Sequence, residues 1–199
     1  MDLCDSAWRR FHGCFSFLFN PLSGALTLGT ILFYSLFYTL YLKPRTPQDI
    51  VIGGLSGSMG PVIAWAVGAN HLDWTPLLMA AVIFFWTPLH FWALAIFLKD
   101  DYTQVGYPMV PGIGGDKATW AQIFVYPLVT LAFSGVLVIF EPGWFYLLAA
   151  AGLGIWFLVV VIRDWRKGTD LAARGVFSVS IVCLLALFTA IILDRGLIR

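Results

Sequence analysis

Charged residues are scarce in this chain. Only 12% of its 199 residues are Asp, Glu, Lys or Arg, about half the share near 25% found in ordinary soluble domains. With 60% of the residues hydrophobic and a mean hydropathy of +0.85, a water-soluble globule is excluded. Neither sign of charge dominates: 12 basic and 11 acidic residues leave a net +1, which gives no basis for nucleic-acid binding. Cys4, Cys14 and Cys183 are too few and too scattered for a disulfide framework or a thiolate metal site, and we treat them as small apolar residues. No internal repeat, low-complexity tract or soluble domain is visible. Asp2 and Asp5 stand at the start, where a signal peptide would carry basic residues ahead of its apolar stretch.

What the chain has in place of charge is long uncharged intervals. They run over residues 11–42, 50–72, 74–98, 102–115, 118–140, 142–162 and 175–193. A spanning helix needs about 20 apolar residues, because each adds about 1.5 Å across a core about 30 Å thick. The fourth interval is too short and holds Gly106, Pro108, Pro111, Gly112, Gly114 and Gly115, so it is expected to be an irregular loop. Asn20-Pro21 breaks the first interval and leaves the nine residues Phe11 to Phe19 as a partial span. The expected fold is therefore all-α: a polytopic transmembrane helix bundle, one domain over residues 1–199. Its six complete spans lie near 22–42, 50–68, 75–98, 119–140, 143–162 and 175–193.

Lys and Arg set the expected orientation, since short cytoplasmic loops are enriched in them. Lys43, Arg45, Lys99, Lys117, Arg163, Arg166, Lys167 and Arg174 fall in alternate connections, and Arg9 and Arg10 join them if the partial span continues upward. Only Arg195 and Arg199 fall opposite. The loop around Asp100 is thus expected to face the cytoplasm or the mitochondrial matrix.

That loop also carries the strongest chemical signal. The third span ends in Lys99-Asp100-Asp101-Tyr102, and Asp116-Lys117 follow the loop. Adjacent carboxylates at the mouth of an apolar bundle are suitable oxygen ligands for Mg²⁺, which typically combines one or two carboxylates with substrate phosphates, and a lysine beside them can neutralise the same phosphates. A solvated helix end produces the same pattern. From His90 to Asp101 is 11 positions, or about 1100° at 100° per residue, within about 20° of three full turns. His90, Phe97 and Asp101 therefore share one helix face, and Trp86 extends it by one turn. An ionisable side chain inside a span is a functional-site hypothesis; the alternative is a neutral histidine hydrogen-bonded to a neighbouring helix, for instance to a carbonyl freed by Pro88. Gly53, Gly57 and Gly60 form a small-residue stripe on the second span, a pattern that serves close helix packing or backbone approach to a ligand. Lys43 and Arg45 lie on the carboxylate side, where they can meet an anionic substrate or simply follow the positive-inside bias. The 17 Phe, 9 Trp and 7 Tyr exceed what interfacial belts need, and cation–π stabilisation of a carbocation is one use for them.

Three strings carry a family resemblance. Thr46-Pro47-Gln48-Asp49-Ile50-Val51-Ile52-Gly53-Gly54, Trp86-Thr87-Pro88-Leu89-His90-Phe91-Trp92-Ala93-Leu94, and Lys99-Asp100-Asp101-Tyr102 with Gly106, Pro108, Met109 and Pro111 resemble the protoheme IX farnesyltransferases. These are the heme O synthases within the UbiA superfamily of intramembrane prenyltransferases. The match runs in order from about Asn20 to Tyr126, with departures at Asp49, Leu89 and Gly112, where asparagine, proline and valine are usual. The family's nine-helix fold implies that this chain corresponds to the C-terminal two-thirds. The family's first carboxylate motif, an Asn-x-x-x-Asp-x-x-Asp cluster, is expected ahead of residue 1, so that the chain by itself turns over poorly or not at all.

The resemblance implies transfer of farnesyl from farnesyl diphosphate to a vinyl group of heme b, giving heme O. It implies Asp101 and then Asp100 as Mg²⁺ ligands, Lys99, Lys43 and Arg45 against the diphosphate, and Tyr102 orienting the head group. His90, with Trp86 and Phe97, falls on the heme side, and the sequence leaves open whether His90 is an axial ligand or a hydrogen-bond donor. Beyond the lipid bilayer and the two substrates, the implied partners are heme A synthase or cytochrome oxidase assembly proteins, in a bacterial cytoplasmic membrane or the mitochondrial inner membrane. The competing readings are a superfamily member with a quinone or chlorophyll-like acceptor, a non-catalytic heme-handling or oxidase-assembly membrane protein, and a small transporter.

Overall fold

Asn20 and Pro21 break the apolar run because together they start a helix. The computed structural model describes residues 20–43, 45–46, 48–99, 110–140 and 143–198, leaving aside the side chains of 110–114 and 197–198. Helix α1 spans Pro21–Leu42, with Pro21 in its first turn, where a missing N–H costs nothing. The Asn20 Oδ1 accepts from the Ser23 amide at 2.8 Å, while its Nδ2 donates to the carbonyls of Ala66 at 2.7 Å and Val67 at 3.2 Å. One buried amide thus caps α1 and ties it to the end of the next span. From Phe33 to Leu42 the helix widens into π-type turns, with the Lys43 amide reaching back five residues to Tyr38. Tyr34 stacks on Tyr38 and Phe37 on Tyr41 along this stretch.

The second span is two helices, α2 (Asp49–Ser58) and α3 (Gly60–Ala69), interrupted at Met59. Pro61 explains the interruption, since it lacks the N–H that would continue the ladder. Asn70, in the left-handed region at φ 55°, ends α3. Helix α4 (Trp74–Phe97) carries Pro88 inside it, α5 covers Val110–Phe140, α6 covers Trp144–Lys167 and α7 covers Asp170–Ile198. Six helical segments are long and apolar enough to cross a membrane, as the interval lengths predict, and the protein is an integral membrane protein. No strand occurs among the described residues.

Two expectations change. The interval 102–115 is not irregular throughout: residues from Val110 are helical, and the break falls at Gly115, with φ 74° and ψ 165°, a region essentially reserved for glycine. The connection between α6 and α7 is only Gly168-Thr169, with Gly168 at φ 59° closing α6. Charges mark where a helix leaves the bilayer, but they do not stop its hydrogen bonds, so α6 runs on through Arg163, Asp164, Arg166 and Lys167.

Helix α4 is the hub, packing against α2, α3, α5 and α7. One core cluster joins Ile50, Leu89, Trp92, Ile96, Trp120, Phe157 and Val176; the other joins Val82, Leu137, Tyr146, Leu187 and Ile191. The first lies toward the basic ends of the helices and the second toward the opposite ends. Among the described residues helix α1 packs closely on α2 and α3, and its Leu36, Phe37, Leu40 and Tyr41 are exposed.

Candidate functional site

The His90 imidazole is packed between two rings. Trp86 stacks on it with centroids 4.4 Å apart and Phe177 with centroids 4.3 Å apart, each within 21° of parallel. Two rings that close cannot share one face, so the imidazole is sandwiched. Its Nδ1 lies 2.8 Å from the Ser180 Oγ, and the Trp86 indole N–H donates to the Ser180 carbonyl at 2.9 Å. Phe97 meets the edge of Phe177 at 5.8 Å, and the Arg174 guanidinium lies 5.0 Å over the Phe97 ring. The helical arithmetic on α4 therefore holds for Trp86, His90 and Phe97, which all face α7. Sequence reasoning missed Phe177 and Ser180; the available signal was a serine three residues beyond a phenylalanine in a span with few polar residues.

At the basic end, the Lys99 ammonium lies 3.2 Å from Asp116 and 3.7 Å from Asp170. It gathers the end of α4 and the starts of α5 and α7 at one mouth, as the Lys/Arg pattern requires. All three side chains are more than a third exposed, so each pair contributes no more than about 1 kcal/mol. Arg174 belongs to the same mouth. At the other end Arg195 lies over the Trp65 ring at 5.2 Å, which separates it from the basic cluster.

Asp100, Asp101 and Tyr102 lie outside the described residues, as does the partial span at 11–19. Among the described residues no group of three or more His, Cys, Asp or Glu side chains is placed to hold a metal ion. Asp116 and Asp170 share the Lys99 ammonium as an ion-pair cluster. Arg45 turns back onto α1: its Nη1 donates to the Tyr41 carbonyl at 3.1 Å and its guanidinium covers the Tyr41 ring at 4.5 Å. Lys43 follows the last turn of the same helix. Asp49 is buried at the start of α2, and its Oδ1 finds no hydrogen-bond partner among the described residues.

The glycine stripe divides. A Cβ on Gly53 would run into the Tyr38 ring, while among the described residues nothing lies within 4 Å of one on Gly57 or Gly60; the tight approach to α4 comes instead at Gly54, where a Cβ would stand 3.3 Å from Thr87. Between α1 and α2 an apolar cavity of about 360 Å³ is lined by Ala25, Gly29, Phe33, Leu55 and Met59. Cys183 is buried with a free thiol, in keeping with its reading as a small apolar residue. A second feature unforeseen in the sequence is Asp164, buried on α6 and paired with Arg163 at 2.8 Å and Lys167 at 3.3 Å.

The chain matches the model of the UbiA prenyltransferase family over residues 12–192. Among curated proteins, the protoheme IX farnesyltransferase of Leptothrix cholodnii is 44% identical over 196 residues, covering 97% of this chain and 62% of that protein. The protoheme IX farnesyltransferase of a Synechocystis species is 46% identical over 181 residues, 88% of this chain and 56% of its own length. That of Rhodopseudomonas palustris is 44% identical over 184 residues, 89% and 58%. The chain thus spans about six-tenths of the length of these relatives. No solved structure matches it.

Proposed function

Because the chain belongs to the UbiA prenyltransferase family, we propose that it takes part in farnesyl transfer from farnesyl diphosphate to a vinyl group of heme b, forming heme O. The observation that carries this reading is the identity of 44% across 97% of the chain to a relative of that name. In the reaction the C–O bond to diphosphate breaks and the bonding pair leaves with diphosphate. The vinyl group attacks the allylic carbon, forming a C–C bond, and the resulting porphyrin-side cation takes up water and releases a proton.

The chain's own residues have distinct parts in this scheme. Asp101 and Asp100 would hold Mg²⁺, with two hard oxygen donors of the kind that ion prefers. Held there, Mg²⁺ would supply positive charge against the departing diphosphate. Lys99, with Arg174 at the same mouth, adds positive charge, Lys43 and Arg45 supply more at the end of α1, and Tyr102 orients the head group. Lys99 must exchange Asp116 or Asp170 for phosphate, which is inexpensive because both pairs are solvent-exposed. The apolar walls of α4 and α7 exclude water from the allylic cation until capture. Trp86, His90, Phe177 and Phe97 form the porphyrin side. In this reading the carboxylate mouth faces the cytoplasm or matrix, and the product passes to heme A synthase or an oxidase-assembly protein.

The test offers labelled farnesyl diphosphate and Mg²⁺ to membranes holding the chain, alone and extended N-terminally by the corresponding segment of the Leptothrix relative. Heme b and a hydroxybenzoate-type quinone precursor compete as acceptors. Label in heme is expected; label in the quinone precursor alone would favour the other acceptor class.

A further inference from the structure

Ser180 has one hydroxyl proton and two neighbours that compete for it. Its Oγ lies 2.7 Å from the Phe177 carbonyl oxygen and 2.8 Å from the His90 Nδ1. A carbonyl can only accept. Both contacts are satisfied together in one way: the Ser180 hydroxyl donates to Phe177, and its lone pair accepts from a protonated Nδ1. The opposite assignment would aim the serine proton at the ring and leave two oxygens in contact at 2.7 Å with no proton between them. Ser180 is fully buried, so water cannot relieve that clash.

The serine is itself tied to α4. Its carbonyl receives the Trp86 indole N–H at 2.9 Å, so the same residue fixes one of the two rings that flank the imidazole. Phe177, the other flanking ring, is one turn away on α7 and supplies the carbonyl that takes the serine proton. His90 is thereby held in plane by stacking and in tautomer by the Ser180 hydroxyl, with the Phe177 carbonyl also in reach of the ring. Among the described residues the one hydrogen bond to the ring is that of Nδ1, and His90 is only half-buried, which leaves the Nε2 edge for a ligand.

We propose that Ser180 is a positioning residue that locks His90 as the Nδ1–H tautomer, so that Nε2 presents an unprotonated lone pair to the iron of a heme-class substrate. The choice of heme rests on the proposed function above; the tautomer does not. Imidazole ligands in metal sites owe their orientation and basicity to such an outer hydrogen bond. The arrangement also decides between the two roles the sequence leaves open for His90, because a neutral imidazole with its proton on Nδ1 cannot donate through Nε2.

The test uses the full chain in nanodiscs with ¹⁵N-labelled histidine. There are three histidines, and His12→Gln and His71→Gln assign the signals. Long-range ¹H–¹⁵N spectra are expected to show the His90 Nδ1 protonated and Nε2 bare. Ser180→Ala should move the proton toward Nε2, and Ser180→Thr, which keeps the hydroxyl, should restore the wild-type pattern. Heme b titration followed in the Soret band is the second readout: Ser180→Ala should weaken the His90-dependent component by about 10–100-fold, the usual effect of losing an outer partner. A protonated Nε2 in the wild type, or a tautomer unmoved by Ser180→Ala, overturns the proposal. The expected tautomer without any His90-dependent heme signal would leave Ser180 as the tautomer lock and refute the heme assignment, and with it the placing of His90 on the porphyrin side.

Discussion

At Gly143 a missing side chain makes room for a charged one. The Asp194 carboxylate occupies the place where a Cβ would stand, with Asp194 itself buried. Gly143→Ala should therefore destabilise the protein by about 1–3 kcal/mol, the range for overpacking, measured as a lowered unfolding midpoint in detergent. Gly57→Ala is the matched control: with nothing within 4 Å and a helical backbone, it should be neutral or stabilising by up to about 1 kcal/mol. His71 makes a second prediction at this scale. It lies between spans, and the Ala69 carbonyl and then the Asp73 carboxylate, each 2.9 Å away, hold its pKa above the ordinary histidine value. Its stabilising contribution is complete below the unfolded histidine pKa and disappears as pH rises through the higher folded value. Asp73→Asn should lower that pKa in an NMR titration, and an unchanged value would mean that the carboxylate has no part in the shift.

Among the elements, α5 depends on one residue for its bend. Gly115 sits at φ 74° and ψ 165°, and an alanine there should cost about 1–3 kcal/mol of backbone strain, checked by thermal unfolding against Gly135→Ala, a helical glycine with open space around it. Equal effects would show that the bend is not what Gly115 supplies. The helices also mark how far amino-acid order alone reaches. Span number and approximate ends follow from uncharged length, because the bilayer fixes how many apolar residues a crossing needs. The shared face of Trp86, His90 and Phe97 follows from helical periodicity. What periodicity on one helix cannot supply is its partner on another: Phe177 and Ser180 are about 90 residues away, and only tertiary packing brings them to His90. Glycines and prolines hide the helical start of α5, and charges hide the extension of α6. Asp164 is the clearest case: it has the pattern of a loop charge yet is buried beneath α7, where a Cβ on Gly175 would come within 3.0 Å of its carboxylate. The break at Met59 is hidden inside a span of full length, since Pro61 acts through the backbone and not through hydropathy.

For the molecule as a whole, the ion pairs at one end and Arg195 at the other make topology directly testable. Cysteines placed at positions 47, 110 and 168 should all label from the same membrane face, the cytoplasmic one by the distribution of Lys and Arg, and labelling of any one from the opposite face would contradict six crossings. That face is also where the proposed chemistry resides, with the Lys99 cluster at its mouth and the His90 stack about two to three turns below. The most direct measurement is heme O formation, followed by mass spectrometry, in membranes given farnesyl diphosphate, heme b and Mg²⁺. The chain extended by the Leptothrix segment is compared with its Asp101→Asn and Asp116→Asn variants. The account predicts heme O from the parent and about a 100-fold or greater loss in Asp101→Asn, since a metal ligand removes several kcal/mol of charge stabilisation and each 1.4 kcal/mol is about tenfold. It predicts little change in Asp116→Asn, whose carboxylate, among the described residues, forms an exposed ion pair with Lys99. Absence of heme O from the parent, or equal loss in the two variants, would contradict it.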